Sequence, residues 1–245
     1  AITSTESYDG STWTEVADLN TGTYYISGTG TQTAALVAGG NRPPANFSQL
    51  TESWNGTSWT AEAILNLGRT GIANFGTVTA GISACGYSSP APSRYRVEVE
   101  SFDGSSWTEI ADTNYGRYGG AAAGISTAGL AFGGENSGMP AEQQNAESWD
   151  GSSWTETGDM SQTRSWVNSA GIQTDALASG GQPASVNTED FNGTSWTEVN
   201  NLSTPKSYSG GKQGTGSSAL NATGSGTAVT EEWDKVVTAS SFTSS

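Results

Sequence analysis

One ten-residue frame recurs down the chain and constrains its fold more than any other feature. Glu6-Ser7-Tyr8-Asp9-Gly10-Ser11-Thr12-Trp13-Thr14-Glu15 returns as Glu52 to Thr60, Glu100 to Glu109, Glu147 to Glu156 and Glu189 to Glu198. A weaker sixth copy is Glu231-Glu232-Trp233-Asp234. The marker tryptophans Trp13, Trp59, Trp107, Trp154 and Trp196 are 46, 48, 47 and 42 residues apart. A period of this length is the signature of an array of small supersecondary units, each burying its apolar face on the next.

A second motif keeps the same period. Ala35-Leu36-Val37-Ala38-Gly39-Gly40 is echoed by Leu130-Ala131-Phe132-Gly133-Gly134 and Ala176-Leu177-Ala178-Ser179-Gly180-Gly181. It weakens to Ser83-Ala84-Cys85-Gly86 and to Ala219-Leu220-Asn221-Ala222-Thr223-Gly224. Each period therefore reads as four short strands, A to D, with the Gly-Gly closing strand B. Strands C and D flank an Asp-Gly or Asn-Gly pair, a strong hairpin signal. A two-residue turn at Asn55-Gly56 predicts Trp54 opposite Thr57 and Glu52 opposite Trp59, with Glu52, Trp54 and Trp59 on one face. Strand A is rich in small residues, as in Gly119-Gly120-Ala121-Ala122-Ala123-Gly124, which suits a crowded common axis. Four antiparallel strands per period match a β-propeller blade.

These residues carry a resemblance to Kelch-type repeats: Gly-Gly at the end of strand B, an aromatic residue before the C–D turn and a tryptophan in strand D. The resemblance covers nearly the whole chain. It departs in its minimal C–D turn and in the glycine missing from the second and fifth copies. The near-identical, Ser/Thr-rich wording of the repeats is also similar to Kelch-like arrays of marine tailed phages. That likeness implies a virion structural or fibre-associated protein, extracellular or on the virion surface.

Five A–B pairs predict an all-β, five-bladed propeller in one domain over 1–245. Its repeats fall at about 17–62, 63–110, 111–157, 158–199 and 200–240, with 1–16 as the closing hairpin. The last copy lacks a turn glycine and a strand-D tryptophan, so the Trp13 segment is expected to add strand D to the blade at 207–233.

Composition narrows the function. The chain of 245 residues has no histidine, one cysteine and a formal net charge of -15. Histidine-based catalysis and metal ligation are excluded, and an internal disulfide or thiolate zinc site has no support. A chain this acidic is not expected to bind nucleic acid. No run of apolar residues is long enough for a membrane span. Without an initiator methionine or signal peptide, the chain is expected to be processed or part of something longer. No cofactor and no enzymatic activity are expected.

The topology puts D–A and B–C loops on one side and the A–B and C–D turns on the other. All seven prolines fall on the loop side: Pro43, Pro44, Pro90, Pro92, Pro140, Pro183 and Pro205. Variable loops on a rigid scaffold are where binding concentrates. A basic residue recurs there at Arg69, Arg117 and Arg164, with Thr23 in its place in the first copy and Lys206 one position out of register. With Arg42, Arg94 and Arg96, these predict an anion or sugar-acid site at the channel mouth. The alternative is structural, each arginine pairing with a strand-C glutamate. Phe47, Tyr87, Tyr95, Tyr115 and Trp166 are candidate stacking residues, of which Tyr95 and Trp166 complete the candidate site. Glu98, Glu135 and Glu142 are the acids on this face outside the repeated frame. The expected role is a structural or adhesion module on an extracellular particle. Its partners are other virion or surface proteins and a cell-surface polysaccharide, with a lectin-like binder as the alternative.

Overall fold

A computed structural model describes residues 1–44, 47–89, 94–137, 142–208, 210–224 and 227–235. Pro90, Pro92 and Pro140 lie outside them. The fold is a five-bladed β-propeller without helices among the described residues. The N-terminal hairpin is β1 (Thr5–Tyr8) and β2 (Trp13–Val16). The first blade holds β3 (Ser27–Thr31), β4 (Ala34–Ala38), β5 (Thr51–Trp54) and β6 (Trp59–Ala61). The second holds β7 (Ala73–Thr77), β8 (Ala80–Ala84), β9 (Val99–Phe102) and β10 (Trp107–Ile110). The third holds β11 (Ala121–Ile125), β12 (Ala128–Phe132), β13 (Ala146–Trp149) and β14 (Trp154–Glu156). The fourth holds β15 (Asn168–Ile172), β16 (Asp175–Ser179), β17 (Thr188–Phe191) and β18 (Trp196–Glu198). The fifth is built on β19 (Gly210–Thr215), β20 (Ser218–Gly224) and β21 (Thr227–Asp234).

Strands run antiparallel in order from the axis outwards, as the strand A to D reading predicts. The core lies between blades. Leu36 and Ala38 of the first blade meet Ile72, Phe102 and Trp107 of the second. Phe75, Ile82 and Val99 of the second meet Ala131, Trp149 and Trp154 of the third. Phe132 of the third is grouped with Ala176, Phe191 and Trp196 of the fourth. Each blade thus buries the aromatic face of the next, and a blade alone would leave both faces wet.

Two expectations need correction. The first is the hairpin register. Trp54 stands opposite Trp59, not Thr57, and Glu52 opposite Ala61. The connection spans four residues because the Asn55 side chain organises it: Asn55 Oδ1 accepts the amides of Thr57 and Ser58, each at 3.0 Å. The local Asx turn displaces the two-residue turn, and only the glycine takes a positive φ, 93° at Gly56. Trp54 and Trp59 still share a face, with ring centroids 5.3 Å apart. The second concerns closure. β2 pairs with β1 alone and adds no backbone ladder to β21. The hairpin closes the ring through side chains: Trp13 Nε1 donates to Thr230 Oγ1 at 3.2 Å, and Gln32 Nε2 of the first blade donates to the Tyr8 carbonyl at 2.8 Å.

The same turn occurs in charged and neutral forms. The turn serines and threonines hold the Asp carboxylates in their ionised form. Asp103 lies at about 2, chiefly through the Ser105 hydroxyl, and Asp150 at about 2, chiefly through the Ser153 amide. Asp9 is lowered further, chiefly by the Thr12 amide. Asn192 makes the same amide bonds without a titrating group. A folded pKa below the unfolded value of about 3.9 gives stability present above about pH 4. That contribution is lost as pH falls towards about 2. An Asp103→Asn, Asp150→Asn double variant is therefore expected to show a flatter decline of Tm across this acid window than the wild type. Superimposable Tm–pH curves would refute it.

Candidate functional site: the aromatic crown of the loop face

The repeated basic residues stand where each chain segment enters a blade, and they turn inwards. Arg117 Nη1 donates to the carbonyls of Gly133 and Asn145, at 2.8 and 2.9 Å, and Nη2 to Glu147 Oε2 at 2.9 Å. Arg69 makes the same set with Cys85, Glu98 and Glu100, the last at 2.7 Å. Arg164 repeats it with Gly180, Asn187 and Glu189. Lys206 is a shorter version, with Nζ 3.6 Å from Glu231 and 3.3 Å from the Asn221 carbonyl. In the first blade, where Thr23 replaces the cation, Glu52 is satisfied by the Asn20 amide, the Asn20 side chain and the Thr21 amide.

Arg69 and Arg117 are 0% exposed, and Arg164 and Lys206 1%. Burial pulls the Arg69 and Arg164 guanidinium groups below their usual range, while the facing glutamates pull them back up. The anion site expected at the channel mouth is therefore not built by Arg69, Arg117, Arg164 and Lys206. Each clamps the end of strand B to strand C of its own blade. Of the other expected cations, Arg42 is exposed, Arg96 pairs with Glu98 at 3.4 Å, and Arg94 is exposed with Nη1 on the Tyr87 hydroxyl at 3.2 Å.

What surrounds the axis instead is aromatic. Two residues after each basic position stand Tyr25, Gly71, Gly119, Trp166 and Tyr208. All five take a left-handed backbone, with φ of 51°, 62°, 64°, 53° and 55°. The chain passes from blade to blade here: the Gly119 amide donates to the Gly71 carbonyl, and the Trp166 amide to the Gly119 carbonyl. Glycine meets this backbone demand freely, and two blades use it. At Gly71 a Cβ would sit 2.5 Å from the Tyr118 ring, and at Gly119 2.6 Å from the Trp166 ring. In the other three blades a bulky aromatic residue occupies a conformation that costs L-residues about 1–2 kcal/mol.

The rings assemble around Trp166. Its centroid lies 5.4 Å from Tyr25, 5.0 Å from Tyr208 and 4.9 Å from Tyr118. Tyr118 continues to Tyr87 at 5.2 Å, and Tyr87 to Tyr95 at 5.5 Å and Phe47 at 5.9 Å. Tyr25 and Tyr208 remain 51% and 44% exposed. One carboxylate sits among the rings. Glu135 Oε1 accepts from Trp166 Nε1 at 3.2 Å and Ser165 Oγ at 3.1 Å, which fixes the indole. Burial, followed by Tyr25 and Glu135, pushes the Tyr118 phenol up to about 12. Burial likewise raises Tyr95 and Tyr208, with Glu135 the second cause at Tyr95 and at Tyr208. These phenols keep their protons at neutral pH and remain hydrogen-bond donors. Glu135 and Glu142 face each other across an isolated bridge in the B–C loop of the third blade.

Of the expected stacking residues, Trp166, Tyr95, Tyr87 and Phe47 join this crown. Tyr115 does not: its hydroxyl donates to Glu156 and its ring lies 5.7 Å from the Arg117 guanidinium. Sequence reading missed Tyr25, Tyr118 and Tyr208, although the fixed offset from the basic position would have found Tyr25 and Tyr208. No group of acidic or cysteine side chains suited to a metal ion is present among the described residues. No described helix could cross a membrane.

Neither a family model nor a curated protein matches the chain. Among solved structures the chain is similar to YjhT, with a TM-score of 0.73. Sequence identity is 14%, and the match covers 92% of this chain and 85% of that one. At that identity the likeness establishes the propeller fold alone.

The clamps and the exposed cations are expected to behave differently. Arg117→Met leaves the Glu147 carboxylate buried and unpaired, and is expected to cost about 3–5 kcal/mol. Arg94→Ala, at an exposed position, is expected to change stability by less than about 0.5 kcal/mol. Chemical denaturation of both variants reads the difference, and equal small effects would overturn the clamp assignment.

Proposed function

We propose that this propeller is a non-enzymatic adhesion module of an extracellular particle, of the phage virion or tail-fibre kind that the repeat style resembles. In this reading the aromatic crown takes a neutral polysaccharide on a cell surface. The observation that carries the ligand class is the left-handed Tyr25, Trp166 and Tyr208. The clamps repeat because blade architecture needs them, whereas these rings break the repeat and occupy a costly backbone state. Flat, partly exposed rings held by one another suit stacking on the apolar face of a sugar ring. Phenolic hydroxyls and Glu135 stand at their edges to meet sugar hydroxyls.

Charge favours a neutral ligand over an acidic one. The inward clamps leave few cations on the loop face, Glu135 lies within the crown, and the net charge is -15. A polyanion would meet repulsion. The reading assigns no reaction, since Glu135 is held by two donors as an orienting group.

The test is a polysaccharide panel of neutral and acidic polymers, run with the wild type, Trp166→Ala and Tyr25→Gly. Saturable binding confined to neutral polymers is expected, with affinity falling about tenfold in Trp166→Ala, the scale of one stacking contact. Tyr25→Gly releases the backbone cost, so Tm is expected to hold or rise while affinity falls. Binding to acidic polymers alone, or affinity unchanged in both variants, would overturn the ligand assignment. Finding the protein only in cytosol, and never with particles or surfaces, would overturn the adhesion role.

A further inference from the structure

The opposite side of the ring carries a second cleft, at the seam between the fifth and first blades. Between the first and second blades, the strand-D indole of the later one reaches strand C of the earlier: Trp107 Nε1 donates to Thr51 Oγ1 at 3.0 Å. Trp13 makes the same bond to Thr230. Similarly, Gln173 in an A–B turn donates to the Trp149 carbonyl of the preceding blade, and Gln32 donates to the Tyr8 carbonyl. The β1–β2 hairpin thus relates to both neighbours as a C–D pair does, yet it has no A–B pair on its axial side. The space beneath it is a cavity of about 320 Å³ lined by Tyr8, Trp13, Trp54, Trp59, Glu6 and Gln32, among others.

Two polar features distinguish it from a packing gap. Glu6 is the strand-C glutamate of the hairpin, equivalent to Glu52, Glu100, Glu147 and Glu189. Those four are buried and satisfied, whereas Glu6 is exposed and its carboxylate makes no bond to the described residues. Gln32 has its amide nitrogen committed to Ser7 Oγ and the Tyr8 carbonyl, which leaves its amide oxygen as an acceptor.

We propose that this wedge is a second binding site, independent of the crown, for a small neutral saccharide: one sugar ring or the end of a glycan chain. Paired indole and phenol faces cover the apolar faces of a sugar ring. Sugar hydroxyls donate to Glu6 and to the Gln32 oxygen, so one ligand meets both groups. The volume lies at the small end of ligand clefts, about 300–1,000 Å³.

The probes are N-acetylglucosamine, lactose and cellobiose, titrated by tryptophan fluorescence and by NMR into the full chain and four variants. Trp166→Ala removes the crown. Glu6→Gln and Trp13→Phe alter the wedge conservatively, and Trp13→Ala truncates it. Expected is saturable binding by at least one probe that survives Trp166→Ala and weakens about tenfold in Glu6→Gln or Trp13→Ala. Trp13→Phe keeps a stacking face and is expected to weaken it less, which separates ligand contact from hairpin detachment. Binding abolished by Trp166→Ala and unmoved by Glu6→Gln and Trp13→Ala would assign the saccharide to the crown and overturn this proposal. Absence of saturable binding in the folded Trp166→Ala protein would overturn it as well.

Discussion

The buried arginine–glutamate clamp is the interaction on which the rest of the ring depends. Taking both charges out of water is expensive, and their mutual attraction alone does not reliably recover the cost. In the second, third and fourth blades the guanidinium does more than pair. One nitrogen bridges two carbonyls, one at the end of strand B and one before strand C, and another meets the carboxylate. The carboxylate also accepts an amide from the loop that delivers the arginine, as Glu147 does from Asn114 and Glu189 from Ser161. The next blade is tied in through the same corner, where the Gly86 amide donates to the Arg117 carbonyl and the Gly134 amide to that of Arg164. One side chain therefore fixes the B–C return, the entry of the chain and the relation between neighbouring blades. Breaking it leaves several buried polar groups without partners at once.

The clamp weakens where the ring closes. The first blade has a threonine at the basic position and the fifth has a lysine reaching its glutamate at 3.6 Å. The seam between these two blades is filled from outside by the N-terminal hairpin, bound by side chains rather than by a ladder. A repeat array needs special terms only at its ends, and bending it into a ring brings both ends to one place. The wedge cavity lies at that place, where the hairpin lacks the axial strands that elsewhere fill the space between blades.

The fold was legible because its determinants are local and repeated five times. Strand alternation, the Gly-Gly corner and the tryptophan spacing gave blade count and strand order. The hairpin register was misread because Asn55 and its counterparts act through their side chains, and an Asx turn and a two-residue turn share the same Asp-Gly or Asn-Gly wording. Closure was misread for a different reason: nothing in the Trp13 segment tells whether it pairs with a distant strand edge or packs on its face. The arginines were visible as a series, but whether a cation points into a mouth or into a blade is decided by the carbonyls waiting for it. For Arg117 those carbonyls lie 16 and 28 residues away along the chain.

The same contrast explains why the crown was only half visible. Trp166 and Tyr95 drew notice as loop aromatics, while Tyr25 and Tyr208 occupy a position that two blades fill with glycine. In sequence, Tyr-Gly-Gly-Trp-Tyr at one repeat position looks like loss of a motif. In space it is a single constraint, a left-handed residue at the axis, answered in two ways: glycine where a neighbour's ring needs room, and an aromatic side chain where the ring itself stands. Gly119 admits Trp166, and Gly71 admits Tyr118, which packs edge-on to Trp166. The glycines and the aromatics are therefore coupled: a side chain at Gly119 would displace Trp166, and one at Gly71 would displace the Tyr118 ring packed against it. A five-fold scaffold yields one asymmetric surface at its centre by varying a single repeat position, while the arginine clamps below it stay constant through the second, third and fourth blades.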